Sequence, residues 1–152
     1  MVGAGRFLKA EDVAKFVLAG NARITLVSQR TGKRFTYWVR QAPPKEKGQE
    51  PKPSLWWVSV LVGPENTKDY LYLGSLKGDL PEFVRTGKTK VEADDPRWVA
   101  FSDSWAEVVE GEMPEGVEVW HDGRCGRCGR ELTVPESVAR GLGDECWAKS
   151  HG

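Results

Sequence analysis

The sequence predicts an α+β fold: an antiparallel β-meander with a packed helix, followed by a small C-terminal treble-clef-like zinc finger. Two runs of β-forming residues, each pairable as a hairpin, lie between residues 23 and 74. An amphipathic stripe follows from residue 96, and all three cysteines come after it. We therefore expect residues 1–116 to form the body and residues 117–152 to form the zinc-binding finger.

The first elements along the chain are a helix and a hairpin. Residues 9–18 place their apolar side chains at helical spacing, and Gly20 is suited to end the helix. Residues 23–28 and 33–40 are rich in β-formers and flank a turn at Thr31-Gly32. These features predict two paired strands.

Two more strands are expected after a loop. Residues 41–53 contain four prolines and five charged residues, which predicts an exposed, mobile loop. Residues 55–62 are apolar on both faces, as in a central strand, and residues 69–74 follow a Gly-Pro turn. Phe83 and Val84 receive no assignment.

The clearest helix of the sequence begins after Asp95. Asp95 can cap the helix, and Pro96 fits the first helical position, where no amide donor is needed. The apolar residues that follow at spacings of three and four are Trp98, Phe101, Trp105 and Val108. We expect this stripe to pack on one face of the sheet.

The composition favours a soluble protein of a reducing cytoplasm. The chain has 152 residues, of which 39% are hydrophobic, so it can bury a core. It contains no apolar segment of about 20 residues, as a membrane span requires. Its first residues do not resemble a secretory signal. Three cysteines are poorly suited to a disulfide framework.

The charges are unevenly distributed along a chain of zero net charge. Residues 1–53 contain 11 Lys/Arg and 4 Asp/Glu, whereas residues 54–120 contain 6 and 13. This asymmetry indicates either a basic face for polyanions or two charged faces that complement each other. Ordinary solvated surfaces also vary this much.

Cys125, Cys128 and Cys146 are predicted zinc ligands. Zinc takes four tetrahedral ligands, and two cysteines separated by two residues can both reach one ion. We favour His121 as the fourth ligand over His151, which lies in a tail that tends to fray. A carboxylate or a water molecule is a further alternative. A redox C-x-x-C is the competing interpretation, but it favours a βαβ setting without a third cysteine.

The stretch WHDGRCGRCGRELTVPESVARGLGDEC resembles the C-terminal signature of small bacteriophage proteins of actinobacterial phages that carry a domain of unknown function. The stretches AGNARITLVSQRTGKRFTYWVR, WWVSVLVGPENTKDYLYLGSL and PEGVEVWH are similar to the same proteins. This resemblance implies a Cys3His site of His121, Cys125, Cys128 and Cys146, and a location in the cytoplasm of an infected bacterium. It implies no established activity.

The hairpin also predicts a contact face for nucleic acid. Arg34, Trp38 and Arg40 share one face of their strand, opposite the natural core side. On this face we expect Trp38 to lie near Arg23 and Thr25 of the partner strand. An aromatic ring flanked by cations can stack a base and neutralise its phosphates, and Arg124 and Arg127 add positive charge at the knuckle. The alternative is that Trp38 packs under the loop or against a helix, with its arginines paired to acidic residues.

No catalytic motif or phosphate-binding glycine loop is visible, so we expect neither enzyme activity nor a small-molecule substrate. The sequence therefore predicts a non-catalytic binding module, with nucleic acid as the favoured partner. The alternative is a protein-binding inhibitor of a host or defence factor, for example of the anti-CRISPR type. Separate acidic and basic faces suit such a partner as well.

Overall fold

The structure is a computed structural model, and it describes residues 5–42, 55–63, 69–78 and 81–121. These residues form an antiparallel sheet of seven strands and two helices. The strands are β1 (Gly5–Arg6), β2 (Asn21–Ser28), β3 (Arg34–Gln41), β4 (Leu55–Leu61), β5 (Tyr70–Lys77), β6 (Glu82–Val84) and β7 (Val117–His121). The helices are α1 (Ala10–Val17) and α2 (Pro96–Val109).

The predicted fold class is wrong. The strand order is β1-β7-β2-β3-β4-β5-β6, so the sheet is larger than the predicted meander and does not follow chain order. Strand β7 returns after α2 to pair with β2, with Val119 opposite Leu26. Strand β1 pairs with the other edge of β7. Pairing between segments far apart in the chain cannot be read from a local sequence pattern. In addition, β1 and β7 are too short to show a clear alternation.

The predicted treble-clef-like finger is not shown. Residues 117–121, which we had assigned to its start, form β7 within the sheet. The remainder of the finger, from residue 122 onward, lies outside the described residues, as does most of the predicted loop over residues 41–53. How the chain divides into domains stays a prediction.

Helix α2 begins as the sequence predicts. The Asp95 carboxylate accepts a hydrogen bond from the backbone N–H of Arg97 at 2.9 Å, and Pro96 occupies the first turn. The same carboxylate forms an ion pair with the Arg97 guanidinium at 2.8 Å. Hydrogen bonds from the Arg97 side chain are the main cause of a lowered pKa of Asp95, and the backbone hydrogen bond adds to it. The helix start is therefore held by both a cap and an ion pair.

Both helices pack on the same face of the sheet. The Tyr37 hydroxyl on β3 donates to the Arg97 carbonyl of α2 at 2.6 Å, and burial raises the pKa of this tyrosine. Trp98 stacks on Phe83 of β6 with ring centroids 4.3 Å apart. The buried apolar residues of β2–β4 on this side are Ala22, Ile24, Leu26, Tyr37, Val39, Trp56, Val58 and Val60. This side is therefore the core.

Gly74 on β5 lies close to both β6 and the Trp98 ring of α2. A Cβ atom at this position would lie 2.7 Å from the Val84 carbonyl oxygen and 3.0 Å from the Trp98 ring. Real Cβ atoms do not approach backbone this closely, so only glycine fits without movement of the edge strand.

Within the described residues, no helix is long and apolar enough to cross a membrane.

Candidate nucleic-acid interface

The face of the sheet opposite the helices, here called the outer face, is covered by no helix or strand among the described residues. Successive side chains of a strand alternate between faces, so the residues between the core positions point to the outer face. On strands β2–β5 they include Asn21, Arg23, Thr25, Arg34, Thr36, Trp38, Arg40, Trp57, Ser59, Tyr70, Tyr72 and Lys77. None of these four strands contains an aspartate or a glutamate.

Trp38 lies at the centre of this face between two arginines. The Cζ atom of Arg23 is 4.3 Å from the centroid of the indole, and that of Arg40 is 4.2 Å away. The indole N–H donates to the Asn21 side-chain oxygen at 2.7 Å, and the ring packs 5.3 Å from Tyr70. Arg23, Trp38 and Arg40 are called the Arg–Trp–Arg cluster below. Its contacts hold the indole in a defined orientation.

Neither arginine of the cluster, Arg23 or Arg40, forms an ion pair with a carboxylate of the described residues. Arg40 is exposed. The Nε atom of Arg23 is buried and has no hydrogen-bond partner among the same residues. The alternative that acidic residues neutralise these arginines is therefore not observed within the described residues.

The structure brings together only part of the predicted nucleic-acid site. Trp38 and Arg40 are in contact, as the alternation of β3 predicts. Arg34 is exposed at the start of the strand, opposite Val27, and is not part of the cluster. Arg124 and Arg127 lie outside the described residues.

His121, which we predicted to bind zinc, lies at the end of β7 on the helix side. It is 3% exposed, and its imidazole centroid is 5.2 Å from that of Phe7 and 5.7 Å from that of Phe16. The three cysteines and His151 lie outside the described residues. Those residues contain no group of three His, Cys, Asp or Glu side chains that could hold a metal ion.

The segment that follows the sheet has a recognisable relative. Residues 120–151 match a family of unknown function, DUF6011. The match begins within β7 and includes every predicted zinc ligand. No curated protein and no solved structure matches the chain. Because the matched family has no known function, the match assigns no activity to this segment.

The sequence analysis does not select four aromatic residues of the outer face, which are Trp57, Tyr70, Tyr72 and Trp120. Trp57 is 36% exposed on β4, a strand whose apolar residues on both faces hide which side is the core. Trp120 is half-buried on β7, and Tyr70 packs on Trp38 from β5. The alternation of β7 alone, Val-Glu-Val-Trp-His, was the one local signal for Trp120, and it was too short to assign.

Proposed function

We propose that the outer face binds nucleic acid and that the chain is a non-catalytic binding module. The observation that carries this proposal is the Arg–Trp–Arg cluster on a sheet face whose four central strands contain no carboxylate. Stacking of a base on an aromatic side chain contributes about 1–3 kcal/mol, and arginines nearby neutralise the phosphates. The face offers both interactions at one place.

The cluster also restricts how a base can bind. Two guanidinium groups already contact the indole of Trp38, within 4.3 Å of its centroid. An incoming base therefore stacks on a guanidinium plane or displaces it from the ring. Arg40 is the more exposed of the two and is the group that we expect to move or to carry the base. Phosphates then pair with its N–H donors.

We further propose that the segment after β7 holds one zinc ion through Cys125, Cys128 and Cys146. Three thiolates and one imidazole form a known structural zinc donor set. His121 is the imidazole that we propose, and it lies at the end of β7, directly before the segment that carries the cysteines. His151 is the alternative fourth ligand. Zinc would fix the backbone of this segment, and no reaction step is assigned to it.

The position of this segment supports a shared role with the sheet. Strand β7 ends at His121, opposite Ile24, the residue next to Arg23 of the cluster. A segment that leaves the sheet there starts beside the proposed interface, and it carries Arg124 and Arg127. The resemblance to actinobacterial phage proteins supports a phage origin and action in the cytoplasm of an infected bacterium. Both are part of this proposal.

Titration of labelled single-stranded and duplex oligonucleotides, followed by fluorescence anisotropy at several salt concentrations, tests the proposed binding. Charge-driven binding weakens linearly on a plot of log affinity against log salt. Absence of binding to either oligonucleotide at low salt would exclude the proposal. In that case the protein-binding alternative applies, and a host protein that copurifies with the chain would identify the partner.

Elemental analysis of the purified protein tests the metal. We expect one zinc per chain and three reduced thiols. A protein free of zinc, or one with a disulfide between Cys125 and Cys128, would contradict the assignment. Comparison of His121→Ala with His151→Ala identifies the fourth ligand, since only its replacement should strongly reduce zinc retention.

A further inference from the structure

Two tryptophans on the outer face flank the Arg–Trp–Arg cluster. Trp57 on β4 pairs with Arg40 of β3. Trp120 on β7 pairs with Thr25 of β2, the residue two positions beyond Arg23 on the same face. Because directly opposed residues of an antiparallel pair share a face, both indoles lie on the same surface as Trp38.

The three tryptophans lie close to one diagonal across the sheet. Trp38 is one strand across and two residues along from Trp57, and Trp120 is two strands across and two residues along from Trp38. Strands lie about 4.8 Å apart and rise about 3.4 Å per residue, which gives Cα separations of about 8 Å and about 12 Å. The whole diagonal is therefore about 20 Å long.

Arginines alternate with the tryptophans along this diagonal. Arg40 lies between the first two indoles, and Arg23 lies on the strand between the second and the third. Arg6 on β1 then pairs with Trp120 and extends the series to the edge of the sheet. We call this series the staircase; in order, its members are Trp57, Arg40, Trp38, Arg23, Trp120 and Arg6.

We propose that a single-stranded nucleic acid follows the staircase, with bases on Trp57 and Trp120 and its backbone along the arginines. This inference rests on the proposed function and adds the form of the ligand, its path and two residues that contact it. A duplex keeps its bases stacked inside and cannot present them to two separated indoles. The length of about 20 Å suits the short end, about four nucleotides, of the site sizes of sheet-based single-strand binders.

A carboxylate defines one boundary of this path. Glu118 lies on the outer face of β7, opposite Val27, and accepts a hydrogen bond from the Trp120 indole N–H at 3.0 Å. A phosphate beside Glu118 would be repelled. We therefore expect the nucleic-acid strand to continue from Trp120 toward Arg6 on β1, and not toward Glu118 and the first residues of β7.

The staircase is tested by measuring the affinity of full-length variants for an oligothymidylate of about eight nucleotides at low salt. Trp57→Leu and Trp120→Leu should each lower affinity at least about fivefold, the lower limit for loss of one stacked base. Trp57→Phe should restore most of the loss because it keeps an aromatic face. Tyr72→Leu is the matched control: Tyr72 lies on the same face, opposite Ser59, but off the diagonal, so affinity should not change.

Three outcomes would overturn the inference. The first is wild-type affinity in both leucine variants while Trp38→Ala binds weakly; the proposed function would then stand without the staircase. The second is equal affinity of the wild type for a duplex of the same length. The third is loss of binding in Trp57→Leu that Trp57→Phe does not restore, with thermal unfolding unchanged. Failure of the wild type to bind any oligonucleotide would remove the proposed function itself.

Discussion

The two faces of the sheet use the same residue type in opposite surroundings. On the helix side, Trp98 is 8% exposed and stacks on Phe83. On the outer face, Trp38 is half-buried and has two guanidinium groups within 4.3 Å of its ring. Apolar neighbours make the first tryptophan a contributor to stability. Cationic neighbours that no described carboxylate neutralises make the second a candidate contact for an anionic partner.

Charge follows the same division. Strands β2–β5 contain no acidic residue, whereas helix α2 and the turn after it are acidic. The carboxylates of that region are Asp103, Glu107, Glu110, Glu112 and Glu115. The zero net charge of the chain therefore conceals basic strands β2–β5 and an acidic helix α2 with its following turn. The variants below are chosen to affect one face and spare the other.

The largest expected effect is on stability. Trp98→Ala should lower the free energy of unfolding by about 3–5 kcal/mol, the usual loss when a buried aromatic ring is removed. Trp38→Ala removes one hydrogen bond and two cation–π contacts on a half-buried ring, so we expect a loss of about 1–2 kcal/mol. Urea unfolding measures both values. Equal losses would show that Trp38 is a core residue and would end the comparison.

The next effect is on binding. Trp38→Ala should weaken binding of a single strand by about 1–3 kcal/mol, the contribution of one stacking aromatic residue. Trp98→Phe is the control from the other face, because it keeps an apolar ring in the core and leaves the outer face intact. Fluorescence anisotropy under conditions where both variants are folded gives the affinities. Similar weakening in both variants would mean that the loss of affinity follows from lower stability and not from the loss of a contact on the outer face.

The smallest effect concerns the start of helix α2. Loss of the cap in Asp95→Ala should lower the free energy of unfolding by about 1 kcal/mol at neutral pH. The pKa of Asp95 is lowered in the fold, so its contribution is complete above the pKa of the unfolded state and is lost as pH falls through the lower folded value. The difference from wild type should therefore shrink in acid. Asp94→Ala, at an exposed neighbour, is the control, and an equal effect of both variants would contradict the cap.

The outer face could be predicted where it depends on local alternation. The pattern of β3 is enough to place Trp38 and Arg40 on one side and Tyr37 on the other. Trp120 could not be placed in this way, because its neighbours follow from the pairing of β7 with β2, which lies far earlier in the chain. Trp57 was ambiguous since β4 is apolar on both faces.

The contacts within the cluster could be predicted only in part. The hairpin predicts that Arg23 lies near Trp38, and the structure confirms this. The packing of the Arg23 guanidinium on the indole could not be predicted, because it depends on the exact register of the hairpin and on the side-chain orientation. The strand order of the sheet could not be predicted either, because it depends on pairing between distant segments. Short strands at its edges, such as β1 and β6, carry too few residues for a period to be read.

The salt dependence of single-strand binding for the wild type and Arg40→Ala tests the central claim most directly. Log affinity of the wild type should fall linearly with log salt, and Arg40→Ala should bind more weakly with a slope that is shallower by about 0.7, the value of one phosphate contact. Arg30→Ala, at an exposed arginine in the turn between β2 and β3, should keep the wild-type slope. Binding that does not respond to salt, or equal slopes for wild type and Arg40→Ala, would contradict the account.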